Sequence, residues 1–224
     1  MFDHLELEDI SKRQCGILRK PSCTRPIIWH IKENGVHAII KDFSSNKFFF
    51  RNTFGRFLVW REARAYKKLK YQKGVPALYR VIGGLALVIQ EIPGIDLGKV
   101  ENGKRPPDGF FNKLTELVDS FHQRGLVHCD LKRAANIILG KDGNPYVIDW
   151  AAAIFRSRYK IHLFSLIYKR FMQDDYNAIV KQKLRFSPEL VTPEERAIYD
   201  HRSRPEKAIR FFRDRLRDFL QKIA

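Results

Sequence analysis

His128-Cys129-Asp130-Leu131-Lys132 is the stretch that decides the fold, read together with Asn136 and with Asp149 after the apolar run Tyr146-Val147-Ile148. Before it, Phe110, Leu114, Leu117, Val118 and Phe121 recur at helical spacing, and the helix should end near Gly125. After it, Asn136–Leu139 and Tyr146–Ile148 read as short strands, and Lys141-Asp142-Gly143-Asn144 between them is hairpin chemistry. An Asp in the loop after a helix, an Asn a few residues on and a second Asp after a hairpin would bring three oxygen-bearing side chains to one cleft. Phosphoryl transfer needs such a set: one carboxylate to position the attacking hydroxyl, and a carboxylate and an amide to hold Mg²⁺ on the phosphates.

Working outward, the N-terminal part reads as strands at Cys15–Leu18, Ile27–Lys32 and Val36–Ile40, the last two joined through Asn34-Gly35, a tight-hairpin signal. Val59, Ala63, Tyr66 and Leu69 predict a helix over Leu58 to Tyr71, and Ala86–Ile92 reads as a further strand before Pro93-Gly94. Lys41 ends a strand. Glu62 shares a helix face with Leu58, Ala65, Tyr66 and Leu69, so it should point inward, and a buried carboxylate wants a cation. Lys41 is the natural partner. Beyond Ala151 the chain reads as helical, with Ile209, Phe212, Leu216, Phe219 and Ile223 on one final stripe. The plan is α+β with two lobes.

Taken together, these residues resemble the protein-kinase-like superfamily. His128-Cys129-Asp130-Leu131 looks like the catalytic-loop motif, Asp149-Trp150-Ala151 like the Asp-Phe-Gly metal motif, and Lys41 with Glu62 like the strand-lysine and helix-glutamate pair. The resemblance covers roughly Cys15 to Phe155 and is strongest to small bacterial members, the lipopolysaccharide core (Kdo and heptose) kinases and the RIO-like kinases. It implies a two-lobed kinase-like fold in a single domain over residues 1–224, with an antiparallel-sheet N-lobe to about 92, a hinge at about 91–97 and a reduced, mostly helical C-lobe from about 98. It also implies roles. Asp130 would be the catalytic base with Lys132 near the transferred phosphate; Asn136 and Asp149 would be the Mg²⁺ ligands. Lys41 would bind phosphate, Glu62 would orient Lys41, and Gln90 and Ile92 would meet the adenine of ATP through their backbones.

Three features depart from the family pattern. Asn136 follows Asp130 with one residue more than the motif allows, which calls for a bulge in the loop. The phosphate-covering turn Arg19-Lys20-Pro21-Ser22-Cys23-Thr24-Arg25-Pro26 has no glycine. No Ala-Pro-Glu follows Asp149, so the peptide-substrate platform of ordinary protein kinases is not expected.

Composition narrows the setting. Forty-two Lys and Arg against 25 Asp and Glu leave a net charge of +17, which favours polyanionic partners without choosing among them. No helix-turn-helix, zinc-finger or aromatic RNA-binding motif accompanies that charge, so a dedicated nucleic-acid module is not expected. The three cysteines lack metal-ligand pairing and suit free thiols in a reducing compartment. The longest apolar run, Trp150–Phe155, is far short of the roughly 20 residues of a membrane span, and the acidic start does not read as a secretory signal. A cytoplasmic protein with peripheral contact at an anionic inner membrane face is expected. The aromatic cluster Phe43, Phe48, Phe49, Phe50, Phe54 and Phe57 interleaves with Lys47, Arg51, Arg56 and Arg61, and core packing beneath the Glu62 helix is the favoured reading over membrane contact.

The expected activity is ATP- and Mg²⁺-dependent phosphoryl transfer to a hydroxyl, with a sugar of a lipopolysaccharide core or related anionic glycolipid as first acceptor. A RIO-like protein serine/threonine kinase is the alternative, and a nucleotide-binding pseudokinase the reading from another class.

Overall fold

The computed structural model describes residues 2–20, 22–101, 105–156 and 162–201. These fall into two compact units, one of residues 2–64 and 77–91, the other of residues 65–76 and 92–201.

The first unit is an antiparallel sheet. In chain order it contains α1 (Leu7–Arg13), β1 (Gln14–Arg19), β2 (Ile27–Glu33), β3 (Val36–Asp42), a short α2 (Phe48–Phe50), the start of α3 (Arg56–Lys68), β4 (Leu78–Ile82) and β5 (Ala86–Gln90), with sheet order β1-β2-β3-β5-β4. The β2–β3 turn has Asn34 at φ 49° and Gly35 at φ 81°, the two positive values a primed turn demands. That turn fixes Lys32 opposite His37, His30 opposite Ile39 and Ile28 opposite Lys41. Alternation then sorts the side chains. Ile27, Trp29, Ile31, Ala38, Ile40, Ala86 and Val88 form one core with Phe2, Leu5 and Ile10 from the N-terminal segment. Burying each such large apolar side chain contributes roughly 1.5–3 kcal/mol. The other face carries His30, His37, Ile39 and Lys41.

Three elements here escape the sequence reading: α1, the short α2 and β4. α1 buries only Ile10 over its seven residues, too little for a periodic signal. β4 is half-buried and broken in pattern by Arg80, whose guanidinium instead ties down the N-terminal segment through the carbonyls of Phe2 and Asp3 and the Glu6 carboxylate. The α3 helix starts two residues before Leu58 and stops at Lys68; Tyr71, at φ 67° and 89% exposed, lies beyond it.

The aromatic cluster also departs from the packed arrangement expected. Phe43 and Phe50 are buried, but Phe48, Phe49 and Phe57 are 74%, 60% and 50% exposed, and Trp60 is exposed with them. The cause is a π turn over Arg51–Gly55, which shifts the phase between α2 and α3. Phe50 stacks on Phe54 and meets Phe43, while the flanking rings turn outward, with Arg51 over Phe48 and Arg64 over Trp60.

The second unit contains the end of α3, then β6 (Gly94–Asp96), α4 (Phe110–Gln123), β7 (Leu126–Val127), β8 (Ile137–Gly140), β9 (Pro145–Val147), β10 (Ile154–Phe155), α5 (His162–Phe186) and α6 (Pro193–Asp200). β6-β8-β9 form one small antiparallel sheet, and β7 pairs with β10. The pairing of Ile154 with Val127 corrects the expectation of an all-helical chain beyond Ala151. α4 buries Phe110, Phe111, Leu114, Leu117, Val118 and Phe121, and Gly125 at φ 70° lets the chain turn back after it. The stripe from Ile209 to Ile223 lies outside the described residues.

Candidate active site

In the sheet unit, Lys41 leaves β3 on the face opposite the Phe2–Trp29 core, and its Nζ donates to Glu62 Oε1 of α3 at 2.6 Å. The two side chains are 12% and 3% exposed, so water does little to screen the pair. Gln90 ends β5 with its backbone N–H donated to the Ala77 carbonyl and its side-chain oxygen accepting the Ala77 N–H. Its backbone N–H is therefore committed within the sheet. Ile92 follows as a half-buried residue at the start of the other unit.

The glycine-free turn between β1 and β2 is held from below. The Asn46 amide, itself buried, donates to the carbonyls of Ser22, Cys23 and Arg25 at 2.9, 3.2 and 3.3 Å. Ser22 and Arg25 close the turn by a two-way backbone exchange. A side-chain amide thus does the work that conformationally permissive glycines would leave to the ligand.

In the other unit, the loop after β7 carries His128, Cys129 and Asp130. His128 is fully buried; its Nε2 donates to the Ile148 carbonyl and its Nδ1 accepts the Asp130 N–H, which assigns a neutral tautomer and makes it a brace. The residue added between Asp130 and Asn136 is taken up by a 3₁₀ turn over Ala134–Asn136. That turn returns the buried Asn136 amide to Asp130, donating to its carbonyl at 3.0 Å and to its carboxylate at 3.2 Å. Asp149 caps a second 3₁₀ turn, Trp150–Ala152, from a left-handed conformation (φ 66°, ψ 67°), and Cys129 is left-handed as well. Non-glycine residues held there store strain that functional loops commonly carry.

Electrostatics tie Asp130 and Asp149 together. Burial, above all, raises the Asp130 carboxyl from its usual range; the Asp149 charge pushes the same way, while Arg133 and the Asn136 hydrogen bond pull it down. The acceptors offered by Asp130, Asn136 and Asp149 are all oxygen, the donor type that hard divalent ions such as Mg²⁺ select. Lys132 Nζ lies 3.5 Å from an Asp174 carboxylate oxygen of α5.

One residue of evident importance went unread in the sequence. Asp175 of α5, 1% exposed, accepts the backbone N–H of both His128 and Cys129, at 2.8 and 2.9 Å, and meets His122 Nε2 at 3.1 Å. Its signal was an acid on the apolar stripe Tyr168, Ile179 and Phe186. Trp150, in the aromatic slot after Asp149, packs edge-on to Phe121 and His128 with no exposed surface.

The chain is similar to known proteins. The family model of the RIO domain matches residues 40–165, more than half of the chain. The chain belongs to the RIO domain family. The fold agrees: the RIO-domain chain is similar to the crystal structure of the Rio2 kinase from Chaetomium thermophilum, with a TM-score of 0.60 and 16% identity over 89% of this chain and 67% of that one. A second crystal structure, of the Rio2 kinase-ADP/Mg²⁺-phosphoaspartate complex from the same organism, matches with a TM-score of 0.59 and 14% identity over 89% and 66%. Among curated proteins, the serine/threonine-protein kinase PknD of Chlamydia trachomatis serovar D is 42% identical over 53 residues, and that of Chlamydia muridarum 44% identical over 46. Those segments are 24% and 20% of this chain, and the match spans only 6% and 5% of the relatives' length.

Proposed function

We propose that this RIO-domain chain is an ATP- and Mg²⁺-dependent phosphotransferase acting on a hydroxyl. What carries the reading is the Asn136–Asp130 contact within a loop pinned by Asp175, beside a raised Asp130 carboxyl that feels the Asp149 charge. Asn136 and Asp149 would hold Mg²⁺, which when bound offsets charge on the phosphates. Lys41, held by Glu62, is the phosphate-binding lysine of this reading. Asp130 receives the acceptor hydroxyl and takes up its proton; catalysis is then positioning plus electrostatics. Lys132, set against Asp174, serves to anchor the catalytic loop to α5.

For the acceptor, the family match favours a protein serine or threonine over a lipopolysaccharide-core sugar, and the PknD likeness points the same way. The glycolipid reading keeps one observation of its own, the exposed aromatic rings of residues 48, 49, 57 and 60 among basic residues. Contact with an anionic membrane face would bring a lipid-borne acceptor to the enzyme. Among the described residues no helix is long and apolar enough to cross a membrane, so such contact is peripheral.

Labelled ATP, incubated with the chain and separate protein, lipopolysaccharide and small-sugar fractions, tests the assignment. Label transferred to a protein fraction, resistant to hydroxylamine, is the expected result. Label on lipopolysaccharide alone transfers the assignment to a glycolipid kinase; nucleotide binding without transfer to any fraction makes the chain a pseudokinase.

A further inference from the structure

At the far end of the Lys41 face, three donor atoms that no step above uses meet at one point. His30 of β2 and His37 of β3 are diagonal neighbours in the β2–β3 register, and Glu91 follows β5 with its backbone N–H donated to the His37 carbonyl. His30 Nε2 lies 3.0 Å from His37 Nδ1 and 3.1 Å from Glu91 Oε2, and His37 Nδ1 lies 3.4 Å from the same carboxylate oxygen. The sheet itself sets this meeting. His37, Ile39 and Lys41 alternate onto one face of β3, and the β3–β5 pairing of Ala38 with Gln90 brings Glu91 level with His37.

Hydrogen bonds cannot satisfy all three contacts. A carboxylate oxygen only accepts, and each imidazole nitrogen carries at most one proton along its lone-pair direction. If one ring donates and the other accepts, the accepting nitrogen faces the carboxylate lone pair against lone pair. If both donate to the carboxylate, the two N–H groups face each other. One edge of the triangle is always repulsive. A cation at its centre makes all three edges favourable with both rings neutral.

The spacing suits a particular kind of cation. Zn²⁺ bound at about 2.0–2.1 Å by imidazole nitrogen and carboxylate oxygen in a tetrahedron sets ligand atoms about 3.3–3.4 Å apart. The three edges here, 3.0, 3.1 and 3.4 Å, lie close to that without any strand moving. Two imidazoles and one carboxylate are a donor set for zinc and its transition-metal neighbours, not for the oxygen-seeking Mg²⁺. The side chains are 23%, 43% and 34% exposed, leaving an approach from solvent and room for water as fourth ligand. Lys32, opposite His37 in the register, is a cation on the neighbouring strand, and it is exposed.

We propose that His30, His37 and Glu91 form a transition-metal site, with Zn²⁺ as its natural ion, that clasps β2, β3 and the residue after β5. The site stands independently of the kinase reading.

The test uses the untagged full chain, stripped of metal with EDTA and titrated with Zn²⁺ against a chromophoric chelator. One equivalent should bind and persist in excess Mg²⁺, and Co²⁺ should give the intense visible absorption of a tetrahedral site. His30→Ala, His37→Ala and Glu91→Gln should each weaken Zn²⁺ by at least about tenfold, the loss that even an outer-shell change can cause. The Cys15→Ser, Cys23→Ser double variant should bind as the parent does. Should a histidine variant fail to fold, carbethoxylation of the parent chain decides: Zn²⁺ should shield His30 and His37, mapped by mass spectrometry, and leave His4 reactive. Absence of saturable Zn²⁺ binding, binding that survives both histidine substitutions, or unshielded His30 and His37 overturns the proposal.

Discussion

Cys129 donates its backbone N–H to Asp175 across 46 residues of sequence, at 2.9 Å, from a left-handed conformation with φ at 68°. The loop over residues 128–136 is therefore held from outside as well as from within, by a carboxylate on α5. Asp175→Ala would take the acceptor from the buried His128 N–H and the part-buried Cys129 N–H and the carboxylate from His122 Nε2, costing about 3–5 kcal/mol. The expected variant melts well below the parent and loses turnover even where it remains folded. Asp175→Asn, which keeps an acceptor, should recover part of both. Circular dichroism melts and ATP turnover measured side by side check this, and an unchanged melt for Asp175→Ala would remove the role.

Asp130 makes the opposite kind of demand on the fold. Its carboxyl is raised chiefly by burial. The protonated form is thus the better one in the folded state, so its stabilising contribution is present at low pH and is lost as pH rises through the raised value. Near neutral pH, Asp130→Asn should raise the melting temperature while abolishing transfer. In the parent, the acidic limb of the rate profile should lie above the ordinary carboxylate range. Arg133, 3.5 Å from Asp130, pulls the carboxyl down, so Arg133→Gln should move that limb to higher pH. A limb that stays in place in the kcat/KM profile shows that Asp130 is not the titrating base.

The Asn46 clamp yields a prediction for the turn over residues 19–26. Asn46→Ala removes every donor that amide gives to the carbonyls of Ser22, Cys23 and Arg25, at a cost of about 1–3 kcal/mol. If the turn covers the phosphates, KM for ATP should rise more than kcat falls, because the groups that touch the acceptor are untouched. A fall in kcat alone would dissociate the turn from nucleotide binding.

Trp150 Nε1 is buried and finds no acceptor among the described residues. Trp150→Phe gives up ring volume but also an unsatisfied N–H, so its cost should stay well under the roughly 3–5 kcal/mol of Trp150→Ala. Urea denaturation of both variants measures the difference. Equal losses would mean that the indole N–H is satisfied in solution.

The exposed aromatic segment is tested with vesicles. Binding to anionic vesicles at low salt should fall as salt rises, and Phe48→Ser with Phe49→Ser should weaken it several-fold while leaving catalysis in solution unchanged. Equal binding to duplex DNA would reduce the effect to the +17 charge alone.

Much of this is legible in the amino-acid sequence, and the boundary is physical. Asn34-Gly35 fixed the β2–β3 register because only such residues take two positive φ values, and helix phase brought Glu62 inward to meet Lys41. The outward turn of Phe48 and Phe49 was not legible, since a π turn shifts helical phase with no residue signature of its own. Nor were the partners of Asp175, two backbone N–H groups and His122, all far away in sequence, although its place on an apolar stripe marked it as unusual. His30, His37 and Glu91 lie on three segments and share no motif; only strand register gathers them. The Asp130–Asn136 spacing invited a bulge, and the chain wound a turn instead.

That turn bears on how distant relatives are recognised. A wound residue advances the chain by about 2.0 Å, where an extended one would advance it by about 3.3 Å. An inserted alanine can therefore vanish into the winding while the amide beyond it keeps its place. A search pattern counts letters, whereas the cleft measures length. Chains rejected for carrying one letter too many before that asparagine deserve a second reading by contour.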